Sequence, residues 1–295
     1  MQFSTKNNIK SISVIVVIFI YFYDLMLFRM IKTYKSYVLE LVNQLCPFKK
    51  KAKYTHEYYY DMFLHVLKDV NSWKSLSLLS SCKGNSRYHY TTIRKMFNRW
   101  TKHNIFKTAY FQMLNDNNMN PLNYETNYDI DLFIDASFIN NKTGVEMVDV
   151  NPLYYKKHVT KLCIICDSNK VPLSINPVKT TSHDSKTIIQ AIKDFRIKKK
   201  INLIADKGYI MNKKDKKALL RKHKVKLIVP KKKNQKNVRI TKYMKSKLKI
   251  RNIVENCIQS IKAFNRIYLR RDRLIANYLS FVFIGSGLIL NNKIN

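Results

Sequence analysis

Two short apolar runs in this chain end on an acid, DLFID at residues 131–135 and NLIAD at residues 202–206, and both have the length and composition of buried strands. A strand that terminates in a carboxylate delivers it to a sheet edge. Similar runs recur around them: Lys161 to Cys166 and Val171 to Ile175, separated by DSNK, which suits a hairpin turn, and VKLIVP from Val225. Helical periodicity falls between them, from Asp184 to Phe195, where Ile188, Ile189, Ile192 and Phe195 are apolar, and over KKDKKALLRKH. The order β-β-β-α-β-α-β-α predicts an α/β fold with a mixed sheet flanked by helices and ligands at the carboxyl ends of its parallel strands. Asp135 and Asp206, as strand-end acids, then share one edge, and Gly208 allows a tight exit beside the second.

A third acid follows on an amphipathic helix, KIRNIVENCIQSIKAFNR from Lys249. At about 100° per residue, Arg251, Glu255 and Lys262 fall on one face, while Ile253, Cys257, Ile261 and Phe264 cover another. Three carboxylates supply the oxygen ligands that a hard divalent ion takes, and two such ions can activate a water and stabilise a leaving oxygen at a phosphodiester. The same spacing also fits an i,i+4 surface pair between Arg251 and Glu255. Asp131 competes with Asp135 for the first position. Asp149 and Asp167 read as solvated turn residues.

Charge identifies the partner class. The chain has 55 Lys+Arg against 19 Asp+Glu, a formal charge of +36 on 295 residues, which attracts phosphate backbones, with an anionic membrane surface as second choice. At 46% apolar residues, with five Gly and six Pro, the chain buries a full core and is not a disordered basic tail. Five scattered cysteines fit a reducing compartment, and Cys163 and Cys166 sit inside an apolar run as core residues.

Four regions follow from the pattern. Residues 1–29 contain the apolar run 12–28, read as a membrane anchor, as an upstream extension with Met30 as the working start, or as a buried helix. Residues 30–115 are helical: Ile31 to Leu45, then a helix for which Thr55 is the N-cap, then a basic helix capped by Thr91 or Thr92. In that last helix Ile93, Met96, Phe97 and Trp100 face inward, while Arg94, Lys95, Arg99 and Lys102 line the other side. Such a helix suits a helix-turn-helix DNA-binding module, or a plain bundle with a solvated face. A polar linker occupies 116–128, and the α/β domain runs over 129–290.

The ordered set IDASFI, KKHVTKL, PVKTTSHDSK, IADKGY, VPKKKNQK and RNIVENCIQSIKAFNR resembles the DDE transposases of bacterial insertion sequences, in the IS4/IS5-like superfamily. The likeness spans nearly all of 130–290. The preceding stretch, with its NRW-containing helix, is similar to that family's N-terminal helical region. The resemblance implies an RNase H-like mixed-sheet catalytic core preceded by a small all-helical domain, with Asp135, Asp206 and Glu255 as the catalytic metal ligands. Leu248 stands where the family's signature has tyrosine.

By the same resemblance the activity is metal-dependent cleavage at transposon ends followed by strand transfer, with two Mg2+ ions for which Mn2+ substitutes. The alternatives are an RNase H-like endonuclease without strand transfer and a non-catalytic transposase-derived DNA-binding protein. Supporting phosphate contacts fall to Arg251, Lys262, Lys207 and His183. Asp184 is read as a helix cap, and Tyr209 either stacks on a base or packs. Lys231, Lys232, Lys233 and Lys236 grip DNA backbone. Partners are double-stranded DNA, as inverted-repeat ends and target, and a second copy in a synaptic complex. The expected location is cytoplasmic and DNA-associated (nuclear in a eukaryotic host), with membrane association through residues 12–28 as an alternative.

Overall fold

A long strand organises the molecule. In the computed structural model, which describes residues 32–48, 54–68, 72–76, 89–123, 129–151, 157–193, 195, 200–231 and 241–294, β1 (Ile130–Asn141) lies at the centre of a mixed sheet. Along Phe133 to Asn140 it pairs antiparallel with β3 (His158–Cys166), which pairs in turn with β2 (Asp149–Val150) and β4 (Pro172–Val178). On its other side Ile130 to Phe133 pairs parallel with β5 (Ile201–Ile204), and β5 with β6 (Val225–Ile228). Past the end of β5, Asn140 and Asn141 pair with β7 (Leu269–Arg270).

The β1–β5 ladder ends at Phe133, so Asp135 lies inside a strand and not at its end as expected. The antiparallel partner β3 takes over at Phe133 and continues to Asn140, which keeps β1 extended. Asp135 therefore emerges two residues beyond the last parallel pair, at the step where β5 leaves the sheet.

The two faces are covered differently. Ser137, on the same face as Asp135 by strand alternation, accepts a bond from Lys262 at the end of a helix that packs on β1 and β3. The opposite face carries Cys163, to which Thr187 donates from the helix Asp184–Ala191. Cys163 and Cys166 are buried core residues of β3. The hairpin turn at DSNK places Lys170 in the left-handed region at φ 61°, and Asp167 accepts from the Asn169 and Val171 amides at 2.9 and 2.8 Å. Asp167 is 6% exposed, and Asp149 accepts from Thr180 Oγ1 at 2.7 Å, so neither is merely solvated. Asp167 closes the hairpin turn, and Asp149 ties β2 to the segment after β4.

The helices before the sheet are α1 (Tyr34–Leu45), α2 (His56–Lys68), α3 (Tyr90–Lys102) and α4 (Ile105–Asp116). Thr55 caps α2 by accepting from the Tyr58 amide at 3.1 Å. Neither Thr91 nor Thr92 caps α3; the cap position is His89, without a side-chain bond, and both threonines fall within the first turn. Following the sheet's first three long strands come α5 (Asp184–Ala191), α6 (Lys213–His223), α7 (Lys242–Lys249), α8 (Asn252–Lys262), α9 (Asn265–Tyr268) and α10 (Ile275–Ile294). Residues 1–31, including the apolar run 12–28, lie outside the described residues.

Sequence periodicity did not single out α10, because GSG at 285–287 interrupts an otherwise continuous apolar run. It is long and apolar enough to cross a membrane, yet it serves here as the core strut that joins helices to sheet. Phe281 stacks on Phe97 of α3 at 4.5 Å, Ser280 bonds Thr101 at 3.0 Å, and Phe283 meets Tyr110 of α4 at 5.9 Å. One continuous buried cluster runs from Tyr34 to Leu290.

The glycines let α10 approach its neighbours. A Cβ on Gly287 would stand 2.5 Å from the Tyr34 ring, which is 1% exposed and held by its hydroxyl on the Phe106 carbonyl at 2.9 Å. Gly287→Ala is expected to cost about 1 to 3 kcal/mol through overpacking, against a helix-propensity gain of at most about 1 kcal/mol. A denaturation midpoint equal to or above wild type would show that Tyr34 can yield.

Candidate active site

Local structure delivers each acid separately. Asp206 follows Ala205 at the exit of β5, where its Oδ1 accepts from the Gly208 amide at 2.7 Å and caps the short turn Lys207–Tyr209. Asp135 Oδ1 accepts from the Ala136 amide at 2.8 Å. Glu255 lies in the first turn of α8, four residues after Arg251, and the two are paired at 2.9 Å with the Glu255 side chain 43% exposed. The i,i+4 surface pair is therefore present. Each acid has one oxygen engaged and, among the described residues, a second oxygen without a hydrogen bond.

The three share a field. Burial, with repulsion from Asp206 and Glu255, pushes the Asp135 carboxyl up to about 6, while the Ala136 amide and Arg251 pull the other way. A carboxylate that is costly to ionise beside two others calls for a cation. The donor chemistry, three carboxylates with spare oxygens, fits a hard divalent ion. Among the described residues, however, no group of three or more His, Cys, Asp or Glu side chains stands close enough to hold a metal.

Gly208 has a different role from the expected turn freedom. A Cβ there would fall 2.8 Å from an Asp184 oxygen and 3.0 Å from an Asp206 oxygen, so the glycine admits two carboxylates side by side. Asp184 is not the cap of α5; that position is His183, and Asp184 pairs with Lys161 of β3, a side chain 7% exposed that also donates to the Ser182 carbonyl at 3.2 Å. Sequence reasoning missed this Lys161–Asp184 pair because the partners come from separate elements. Its signal was a lysine within an otherwise apolar strand.

The supporting residues are distributed unevenly. Lys262 donates to Ser137 Oγ at 2.7 Å and to the Phe138 carbonyl at 2.9 Å, so its ammonium anchors α8 to β1 beside Asp135. Burial lowers its pKa, and Asp135 opposes that. Lys207 is exposed beside Asp206, and His183 is exposed with Nδ1 2.9 Å from Ser185 Oγ. Tyr209 is fully buried with its hydroxyl 3.9 Å from Cys163 Sγ, so it packs and does not stack on a base. Asp131 is tied to Lys247 of α7 and to the Asn202 amide at 2.9 Å, which leaves it bracing the sheet four residues from Asp135.

The basic face of α3 is also divided. Ile93, Phe97 and Trp100 are buried and Met96 is partly buried, as the pattern predicts. Arg99 donates to the Pro47 carbonyl at 3.1 Å, within the helical region. Lys95 and Lys102 are exposed, and Arg94 opens toward the loop after β7. Lys231 is half-buried at the end of β6 and has a partner. Lys232, Lys233 and Lys236 lie outside the described residues.

A sheet with three long antiparallel strands, then two parallel ones reached through helices, and acids on its first strand, after its fourth long strand and on a later helix, is an RNase H-like core. The Transposase DDE domain family matches residues 130–286, more than half of the chain, and the protein belongs to that family. No curated protein matches it. Among solved structures it is similar to a piggyBac transposase, described as a synaptic complex with hairpin DNA, at 12% identity and a TM-score of 0.52, over 88% of this chain and 71% of that one. That likeness concerns the fold.

Proposed function

We propose that this protein is a DNA transposase that cuts at the ends of its element and transfers the freed strand into target DNA. The observation that carries the reading is the match of residues 130–286 to the DDE domain family, and the reading is supported by the field that Asp206 and Glu255 exert on Asp135. Asp135, Asp206 and Glu255 would hold Mg2+, with Mn2+ as substitute. When bound, the metal supplies acidity to an attacking water or 3'-hydroxyl and counter-charge to the departing oxygen. The residues of the chain do the rest. Arg251 pairs with Glu255, so Glu255 would turn from Arg251 to join the other two acids on a metal. Lys262 fixes α8 against β1, so the third acid is presented from a rigid element. Lys207 faces solvent beside Asp206, where it meets a phosphate.

The charge of +36 supports duplex DNA as partner, in the cytoplasm or wherever the host keeps its DNA. Two ends must be processed together, so the working unit is an assembly of at least two copies. The test is a purified chain in Mg2+ on a duplex carrying the element's ends. Cutting followed by joined product is expected, and Glu255→Gln should lose both while binding DNA nearly as wild type. Nicking without joining would leave the endonuclease reading. Binding with neither would leave a non-catalytic DNA-binding protein.

A further inference from the structure

Away from the acids, a cavity of about 480 Å³ opens where the helical region meets the sheet, with Arg94 and Asn98 of α3 on one wall and Arg271, Arg273 and Asn277 on the other. Its charge is one-sided. Asp272, the carboxylate in the lining, is bonded by Arg266 through two contacts at 3.0 and 2.8 Å and its side chain is 4% exposed, so its charge is already met from beneath. Arg94 and Arg273 are exposed and, among the described residues, have no carboxylate within ion-pair reach. The N-terminal end of α10 adds little, because Glu146 already accepts from the Ile275 amide at 2.7 Å.

The walls are built rather than loose. Arg270, fully buried, donates to the carbonyls of Glu146, Asp272 and Arg273 at 2.7, 3.0 and 2.9 Å and to Thr160 Oγ1 at 2.7 Å, which fixes the loop bearing Arg271 and Arg273. Thr143 donates to the Arg271 carbonyl at 2.6 Å. Across the gap Asn277 donates to Asn98 at 3.0 Å, so α3 and α10 hold a set separation. Planar guanidiniums on a fixed frame recognise phosphate by paired N–H donors.

We propose that this cavity binds phosphodiesters of the DNA strand running away from the cut. The proposal rests on the DNA reading above. Asn141 pairs with Arg270 six residues along β1 from Asp135, and at about 3.3 Å per residue the site lies roughly 20 Å from the acids. At 3.4 Å per nucleotide along a strand that is about six nucleotides. Arg94 thereby becomes a backbone contact and not a base reader.

The test uses the full chain in EDTA, so it needs no cutting. Titration of a duplex at several salt concentrations should show the log affinity against log salt slope of Arg94→Gln/Arg273→Gln flattened by nearly two units relative to wild type, about 0.9 per lost phosphate. Arg94→Lys/Arg273→Lys, which keeps the charge, should retain most of the slope and guards against misfolding. On a duplex with the cut site, one neutral methylphosphonate roughly six nucleotides from the cut should weaken wild type and not the Gln variant. An unchanged slope, or equal weakening of both proteins, overturns the proposal. So does competition by inorganic phosphate that leaves the DNA slope intact, which would mark a small-anion pocket. A wild type that binds in this way but never cuts in Mg2+ overturns the transposase reading alone.

Discussion

Replacing Asp135 by Asn should yield a protein that no longer cuts DNA and is nevertheless more stable at pH 7.5. The Asp135 carboxyl is pushed up to about 6 from an ordinary value of 3.8, chiefly by burial and by Asp206 and Glu255. Below about pH 4 the group is protonated in both folded and unfolded chains and costs nothing. Between about 4 and 6 the unfolded chain releases the proton first, so folding stability falls as pH rises, and above 6 the full penalty is present. At 1.36 kcal/mol per pH unit that penalty is at most about 3 kcal/mol. Asn keeps an oxygen for the Ala136 amide and removes the charge. In EDTA, the variant should gain over wild type at pH 7.5 and not at pH 4. Added Mg2+ should raise wild-type stability and leave the variant unmoved, because neutralising the acids is what the metal contributes. A variant with no stability gain at pH 7.5 would mean that Asp135 is not electrostatically burdened.

The second large effect lies beneath the arginine cavity. Arg266 is 2% exposed, grips Asp272 with two bonds, and has its guanidinium 5.8 Å from the Trp73 ring and 5.3 Å from that of Phe281. Asp272→Ala removes the carboxylate that meets two donors of a buried guanidinium and is expected to cost about 3 to 5 kcal/mol. Arg266→Met/Asp272→Leu should be markedly less damaging than Asp272→Ala, because both charges of the pair are removed together and the aromatic neighbours accept an apolar chain. Chemical denaturation of the two variants decides this, and a double variant as unstable as the single would place the importance of the pair in shape. The pair also joins the helical region, through Trp73, to the loop that carries Arg271 and Arg273. Its loss should therefore disturb DNA binding as well.

Much of the fold could be read from short apolar runs. Strand runs at 161–166, 171–175, 201–205 and 225–230, and helices at 184–195 and 213–223, are local matters of periodicity, and the chain adopts them with ends moved by a few residues. The positions of Asp206 after an apolar run and of Glu255 on an amphipathic helix were also legible, and the DDE family match covers the segment bearing both. Local pattern could not show that β1 runs on to Asn141. That extension comes from β3 and β7, partners distant in sequence, and it turns Asp135 from a strand-end acid into a mid-strand one. Nor could spacing distinguish charges spent inside the molecule from charges left outside. Lys262, expected to meet a phosphate, and Lys161 and Lys247 are each bound by a group from another element. The sequence by itself determined the strands, the helices and the charge that draws a polyanion, because those depend on neighbours along the chain. Which acids share a field, and which arginines stand together at a cavity, was decided by tertiary structure, because Coulomb interactions depend on distance through space and the partners come from elements far apart in the chain.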